Sequence, residues 1–458
     1  MIDYSIFKSY DIRGIYPKNI NKKTAYLIGK SLIRYTKKQK IVIGRDMRIS
    51  SPILFKGLTE GITSEGAKVY DLGKIATECL YFAVGNYNYE LGVMITASHN
   101  PKEYNGLKII QKNNNNLLET IPGKNLIKIT KETEKLEKDK KIPLKQKKGI
   151  KKINIWQDYL NYILSFVSLK DISHFKIVID ASNGMAGKAI PMLTKKLPFL
   201  TIIPLNFKLD GNFPAHSPNP LSPEAPKEAG EIIKKEKADF GFIFDGDADR
   251  IFLIDEKGKL VRGDITLLLL AKHFLEKEPG KGIIYNLICS KAVPEFIKKW
   301  GGRPIRSKVG FVNISELMIK KDAIMGGELA GHFSFKDYFC HDSAFITFLI
   351  LLEIISKNKK PVSKLTKELS PYFKLPEINF RVSNKELILK EIKKKFSDAK
   401  QDYLDGITVE YSNWWFNIRP SQTEPLLRLT IEANNKNLLK EKKKMLVNLI
   451  KEIEKIHR

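Results

Sequence analysis

The sequence predicts a layered α/β protein: three successive α/β units with a smaller α+β unit after them. Three observations carry this. The chain has 458 residues, more than one hydrophobic core serves at ~100–200 residues per domain. Short β-branched runs alternate with amphipathic stretches, as layered α/β domains require. Beyond about residue 370 the pattern turns strand-rich and then ends in a charged helix. Hydrophobic residues make up 43% of the chain, which excludes a wholly disordered protein.

In the first unit, 23–35 reads as a helix, and 40–46 (KIVIGRD), 68–72 (KVYDL) and 91–96 (LGVMIT) read as strands. The theme returns at 175–180 (FKIVID), 200–205 and 240–244 (FGFIF), and again at 282–287 and 323–325 before an apolar helix over 343–355. Strands at 377–382 and within 407–433 precede an amphipathic helix at 437–456. Boundaries near 150 and 257 and a break near 370 divide the chain into 1–150, 151–256, 257–369 and 370–458. The sequence itself shows no strong internal repeat.

Basic residues number 79 against 51 acidic, a net charge of +28. An anionic partner such as nucleic acid is one reading. A general lysine bias is the other, and the scatter of the basic residues favours it, so no nucleic-acid partner is expected. The one dense run, 131–152, alternates signs in its first half and reads as a solvated helix face and linker. The apolar stretches 265–271 and 344–352 fall short of the ~20 residues a membrane span needs, and the N-terminal residues show no signal peptide. Cys79, Cys289 and Cys340 lie far apart, which suits reduced thiols and a cytoplasmic protein.

Four strings carry chemistry. In Asp245-Gly246-Asp247-Ala248-Asp249-Arg250, three carboxylates alternate directly after an apolar strand. If the backbone stays extended they share a face. Oxygen-only ligands crowded at one point call for a hard cation, Mg²⁺. An EF-hand would place Glu256 at its twelfth position, but its sixth is Arg250 where the sharp turn needs glycine, and both flanks are β-like. A plain Asp-Gly hairpin leaves Asp247 and Asp249 unexplained.

The second string, Thr96-Ala97-Ser98-His99-Asn100-Pro101, puts Ser98 at a strand end, where α/β proteins place ligands. A turn serine or helix cap reads equally well there, and an extended loop would place His99 poorly as a base for Ser98. The third, Gly326-Gly327-Glu328-Leu329-Ala330-Gly331-His332, flanks a carboxylate with glycines, as where backbone closely approaches a ligand. Glu328 could take sugar hydroxyls, or the string is a glycine-rich turn. The fourth, Arg419-Pro420-Ser421-Gln422-Thr423-Glu424-Pro425, groups a guanidinium with two hydroxyls, a cradle for a phosphate dianion or a capped turn. Together the four describe phosphoryl transfer on a phosphosugar.

TASHNP, DGDADR, GGELAGH and RPSQTEP, in this order and at these separations, resemble the α-D-phosphohexomutases, most closely the bacterial and archaeal phosphomannomutase/phosphoglucomutase branch. FKSYDIRG at 7–14, GRDMR at 44–48 and YNGLK at 104–108 fit the same pattern. The resemblance implies three similar α/β domains with mixed sheets and a smaller fourth that closes over a central cleft. It implies a mutase interconverting hexose 1-phosphate and 6-phosphate, of mannose or glucose, through a phosphoserine and a hexose 1,6-bisphosphate. By the same matching Ser98 is the phosphorylated residue, and Asp245, Asp247 and Asp249 hold Mg²⁺ beside it. Arg13, Lys108 and His332 would aid proton transfer. Tyr10, Arg45, His99 and Arg250 would line the phosphoserine pocket. Glu328 would read sugar hydroxyls, and Arg419, Ser421, Gln422 and Thr423 would bind the other phosphate. A monomer or homodimer free of membrane is expected.

Four positions depart from the family pattern: Ala330 for Ser, Gln422 for Asn, Ile288 for Lys or Arg, and Phe311 for His. All fall in sugar or phosphate contacts, so the choice of sugar is the open point. A glucosamine phosphate mutase, a metal-dependent sugar phosphatase and an RNA-binding protein with a decayed site are the rival readings.

Overall fold

The computed structural model describes residues 2–113, 115–139, 149–421 and 426–456. Its first three sheets repeat one plan. In the first, Lys40–Arg45, Lys68–Lys74 and Leu91–Ile95 run parallel, and Tyr104–Lys112 lies antiparallel beside the third of them. In the second, Phe175–Asp180, Leu200–Leu205 and Phe240–Phe244 are parallel and Ile251–Ile254 is antiparallel. In the third, Gly282–Asn286, Arg303–Ser307 and Ala323–Gly327 are parallel and Phe333–Phe335 is antiparallel. Each has the spatial order fourth, third, first, second. These are the mixed sheets the resemblance implied, and the repeat that the sequence hides is plain in their topology.

Short strands extend the first sheet at Ile12–Ile15, Leu118–Thr120 and Ile150–Lys152. Ile150–Lys152 pairs in parallel with Lys68–Lys74. The basic run 131–152 is therefore only partly helix and linker: the helix Ile127–Lys138 opens it, a strand closes it, and 140–148 lie outside the described residues.

The fourth sheet is antiparallel throughout, with Trp414–Pro420 between Ile407–Glu410 and Leu427–Ala433. The expected strand at 377–382 shortens to Ile378–Phe380, paired with Leu427–Ala433. Helices Lys385–Lys395 and Lys436–Ile456 complete this unit.

Packing separates the fourth unit from the rest. The helix Ala344–Asn358 is buried along most of its length, as an all-round apolar helix must be. Ser343 caps it, accepting from Ile346 N at 3.1 Å. The largest hydrophobic cluster runs without a break through Tyr81, Phe242, Leu268 and Phe348, joining the first three units. The fourth has its own core around Phe416, Leu429 and Leu446. Its contacts with the third include polar ones, such as Val309 N to Asp405 at 3.3 Å and Lys291 N to Glu432 at 2.9 Å. Polar interfaces of this kind accompany relative domain motion. Among the described residues, no helix is long and apolar enough to cross a membrane.

Candidate active site

Three of the four strings are one loop used three times. Each leaves the third parallel strand of its sheet and turns into the antiparallel fourth: 96–103, 245–250 and 328–332. They occupy the carboxyl ends of parallel strands, where open α/β sheets bind ligands.

Ser98 is held by backbone geometry and a buried arginine. Its φ of 49° is left-handed, and its N–H donates to Thr96 Oγ1 at 2.8 Å. The Arg48 guanidinium donates to the carbonyls of Ser98 (2.8 Å), Asn100 (2.6 Å), Pro101 (2.7 Å) and Tyr104 (3.0 Å), stapling the loop from beneath. Ser98 Oγ donates to Asp245 Oδ2 at 2.8 Å, across the junction of the first and second units. The two loops touch backbone to backbone: a Cβ on Gly246 would sit 2.7 Å from Ser98 O. Only glycine permits that approach.

The left-handed turn means that the loop is not extended, and extension is the condition under which His99 would be poorly placed. Its Nδ1 lies 3.2 Å from Ser98 Oγ, within hydrogen-bond reach. Burial, with Arg250 and Arg13 nearby, keeps this imidazole well below its ordinary pKa and hence neutral.

The carboxylate loop is not extended. Ala248 has φ 57°, and the curl brings one oxygen from each of Asp245, Asp247 and Asp249 within 4.8 Å of the others. All three residues are buried. Arg250 Nε donates to Asp245 Oδ2 at 2.9 Å, and Thr77 Oγ1 to Asp247 Oδ2 at 2.5 Å. Lys108 Nζ donates to Asp247 Oδ2 at 2.8 Å and to Asp249 Oδ2. Burial opposes the charge on Lys108, yet the two carboxylates outweigh it and raise its pKa, so it stays cationic. Among the described residues, Asp247 Oδ1 and Asp249 Oδ1 remain buried without a hydrogen-bond partner. A buried carboxylate oxygen lacking a donor is costly, and two of them beside Asp245 fit a hard divalent cation. Arg13 Nε and Arg250 Nη2 are buried donors without a partner; Arg13 otherwise binds Asn100 Oδ1 and Asp11 Oδ2, both at 2.5 Å.

The third loop corrects the reading of its glycines. Gly326 and Gly327 belong to the strand Ala323–Gly327, not to the turn. A Cβ on Gly326 would meet Ile314 Cγ2 at 2.4 Å, and one on Gly327 would meet Leu267 Cδ1 at 2.8 Å. They are small because helices pack against them; Gly331, with φ 89°, makes the turn. Glu328 is buried, and its Oε1 accepts from Gly310 N at 2.7 Å and Asn286 Nδ2 at 3.0 Å. His332 Nδ1 pairs with Asp342 Oδ2 at 2.6 Å and lies 3.9 Å from Asp249 Oδ1. Phe311 stacks on the His332 ring with centroids 5.5 Å apart.

Burial works against a charged His332, but Asp249 and Asp342 prevail and push its pKa up to about 9 from 6.5. The stability linked to this group is therefore complete below pH 6.5 and is lost as pH rises through about 9. Replacing Asp342 with Asn removes one of the two anions. In metal-free protein, the His332 titration followed by NMR is expected to fall by at least about one pH unit; an unmoved midpoint would show that Asp342 does not hold the imidazolium.

Two residues expected to line the phosphoserine pocket make their hydrogen bonds to other groups. Arg45 pairs with Asp71 Oδ1 at 2.7 Å and stacks over Phe55 at 4.3 Å; among the described residues no hydrogen bond or ion pair joins it to the Ser98 loop. That carboxylate captures the guanidinium first. The Tyr10 hydroxyl donates to Val309 O at 3.1 Å and accepts from Asn313 Nδ2 at 3.0 Å, placing it on the third unit. It is within electrostatic range of Glu328 and Arg419.

In the fourth loop, Arg419 is buried at the end of its strand and donates to Glu377 Oε2 at 2.8 Å, with Nε unpartnered. Ser421 N donates to Leu426 O at 2.8 Å, and Gln422 and Thr423 lie outside the described residues. Sequence reasoning passed over Arg48, Thr77, Asn286 and Asp342. Arg48 lay inside a string already singled out and Asn286 two residues before the departing Ile288; Thr77 and Asp342 sit in no motif, and only the fold brings them here.

Fold and site together define an α-D-phosphohexomutase. Residues 5–138, 157–258, 262–373 and 377–449 match, in turn, domains I, II and III and the C-terminal domain of phosphoglucomutase/phosphomannomutase. The chain is similar to the phosphomannomutase of Methanocaldococcus jannaschii, at 38% identity over 99% of both chains. It is 36% identical to that of Vibrio cholerae over 99% of this chain and 100% of the relative. A crystal structure of a phosphoglucomutase/phosphomannomutase family protein from Burkholderia thailandensis superposes with a TM-score of 0.86 at 29% identity, covering 99% of this chain and 98% of the other. The chain belongs to the phosphoglucomutase/phosphomannomutase family and is an isomerase, a phosphohexose mutase.

Proposed function

We propose that the chain interconverts the 1- and 6-phosphates of mannose or glucose by passing one phosphoryl group through Ser98. The observation that carries this reading is the 2.8 Å contact between Ser98 Oγ and Asp245 Oδ2, a hydroxyl of one unit resting on the carboxylate cluster of another.

In the forward half-reaction the phosphoryl group leaves Ser98 Oγ for the free hydroxyl of the sugar monophosphate, making a hexose 1,6-bisphosphate. That intermediate turns over and returns its other phosphate to Ser98, restoring the enzyme. Asp245, Asp247 and Asp249 would hold Mg²⁺ with Ser98, and bound there it would neutralise charge on the transferring group. Arg13 and Arg250 offer their unpartnered nitrogens to the same oxygens. Phosphoryl transfer depends chiefly on such alignment and charge neutralisation. His332, oriented by Asp342, and the nearby Arg13 and Lys108 are assigned to moving the sugar hydroxyl proton. His99 abuts Ser98 as a neutral hydrogen-bonding group. Glu328 takes vicinal sugar hydroxyls, while Arg419, Ser421, Gln422 and Thr423 hold the phosphate that stays.

The separate core and polar border of the fourth unit suit a lid that shuts on substrate, and we take 1–150, 151–256, 257–369 and 370–458 as the working divisions. Ile288 is 5% exposed and adds no cation to the cleft, and Phe311 lies flat on His332, so sugar choice falls to Glu328 and its neighbours. Turnover of mannose, glucose and glucosamine 1-phosphates, each primed with its 1,6-bisphosphate, tests this. Conversion of mannose or glucose phosphate to the 6-phosphate without release of free phosphate is expected. Turnover of glucosamine phosphate alone would overturn the sugar, and stoichiometric free phosphate would overturn the mutase mechanism.

A further inference from the structure

A second cationic cavity lies away from the carboxylate loop, where the third and fourth units join. It encloses about 470 Å³, within the range of small-molecule sites. Its wall draws on three separate stretches of chain. Arg262 precedes the helix Gly263–Lys277, Lys374 sits in the strand that enters the fourth unit, and Lys436, Lys440 and Lys443 come from the helix Lys436–Ile456. The three helix lysines are spaced four and three apart, so they share one face, and the amino-terminal end of that helix adds its positive dipole.

Two features separate this cluster from the scattered lysines elsewhere. First, among the described residues no acidic side chain lines the cavity. The neighbouring cavity of about 300 Å³, by contrast, sets Lys291, Lys298 and Arg306 against Glu295, Glu410 and Glu432. Second, two cationic atoms at this wall have no hydrogen-bond partner among the described residues: Lys374 Nζ and Arg262 Nη2. Two acids lie near: Asp264, and Glu432, which stands opposite Lys374 in the strand pair and keeps its own Oε2 without a hydrogen-bond partner among the described residues. Asp264 Oδ1 takes Arg262 Nε at 2.9 Å, and Glu432 Oε1 takes Trp415 Nε1 at 2.8 Å and Lys291 N at 2.9 Å. Lys374 Nζ instead sits 4.4 Å from the centre of the Trp415 ring. The wall itself presents only cationic charge among the described residues, and its unpartnered donors leave a polar demand that an anion meets.

We propose that this cavity binds a small, multiply charged phosphate anion of the diphosphate type, which bridges Arg262 of the third unit to the helix lysines of the fourth. Bound there, the anion ties the two units together through groups that take no part in the phosphoryl-transfer site. The binding claim stands apart from the proposed reaction; its effect on turnover rests on that reading.

Calorimetric titration of the full chain with inorganic pyrophosphate, in EDTA, tests the site. The wild type is expected to bind at two loci, one displaced by glucose 1-phosphate and one not. In the Lys440→Gln/Lys443→Gln variant the locus that resists glucose 1-phosphate should weaken at least tenfold, with kcat in the absence of pyrophosphate unchanged. Lys374→Met should weaken the same locus, with unfolding temperature as its folding control. Orthophosphate should bind there at least tenfold more weakly than pyrophosphate. Identical isotherms for wild type and the double variant, complete displacement of pyrophosphate by the sugar phosphate, or equal affinity for orthophosphate would each overturn the proposal. If no hexose phosphate is turned over while the resistant locus behaves as stated, the reaction is wrong and the anion site stands.

Discussion

Ser98→Ala is expected to lower hexose phosphate mutase turnover by at least about 10⁴-fold, on the scale of removing a nucleophile from a covalent mechanism. No neighbouring hydroxyl can stand in. Thr96 Oγ1 is tied to the Ser98 amide, and Thr77 Oγ1 is committed to Asp247. The fold should survive, because Arg48 clamps the carbonyls of residues 98, 100, 101 and 104 and never touches the serine hydroxyl. Alanine at the left-handed φ of 49° replaces a serine that already bears that strain, so the backbone term nearly cancels. The lost hydrogen bond to the Asp245 carboxylate is worth about 1.5–3 kcal/mol and that to His99 about 1 kcal/mol, within what a folded domain tolerates. The measurements are turnover primed with the 1,6-bisphosphate, label retained on protein after incubation with labelled bisphosphate, and the unfolding temperature. Turnover within tenfold of wild type, or label retained by the variant, would remove Ser98 from the reaction.

The chemistry was legible in the sequence wherever it was written as a polar string after an apolar strand. The loops at 96–101, 245–250 and 328–332 were found this way because the strand before each is a near-continuous apolar run. What was illegible is conformation that no side chain announces. Nothing about Ala248 foretells a left-handed residue, yet it is this turn, not strand alternation, that gathers the carboxylates. Ser98 repeats the point: the same twist brings His99 to a place an extended loop would deny it. Gly326 and Gly327 looked like ligand-approach glycines and are packing glycines, since a pattern of small residues does not say which face is crowded. Arg45 and Tyr10 are placed at the phosphoserine by resemblance, while their hydrogen bonds go to Asp71 in the neighbouring strand and to Asn313 of the third unit, pairings that no motif announces. The threefold use of one sheet plan was hidden for a different reason. Topology is set by which strands are apolar and in what order, and many unrelated residues satisfy that.

Asp249→Asn is expected to invert the order of stability between the metal-free and metal-loaded protein while reducing activity by at least about 10³-fold. The aspartate is buried with Asp247 beside it and Asp245 near, and these push its pKa up to about 7 from 3.8 against the pull of Lys108. A carboxyl raised in this way binds its proton more tightly folded than unfolded. Its contribution to stability therefore falls as pH rises from about 4 to 7, and above that its charge is a net cost. Asparagine fills nearly the same volume without the charge. In EDTA at pH 8 the variant should thus be at least as stable as wild type, by on the order of 1 kcal/mol, with Lys108 still paired to Asp247 at 2.8 Å. Magnesium reverses the order. A ligand bound only by the folded state stabilises it by about 2.7 kcal/mol at a hundredfold excess over its dissociation constant, and the variant lacks one of the three carboxylates proposed to hold the ion. Thermal unfolding with EDTA and with millimolar Mg²⁺, on both proteins, reads the result as a large upward shift for wild type and a small one for the variant. Equal shifts would mean that the ion binds without Asp249, and a variant less stable than wild type in EDTA would mean that the crowding of negative charge is not the strain it is argued to be.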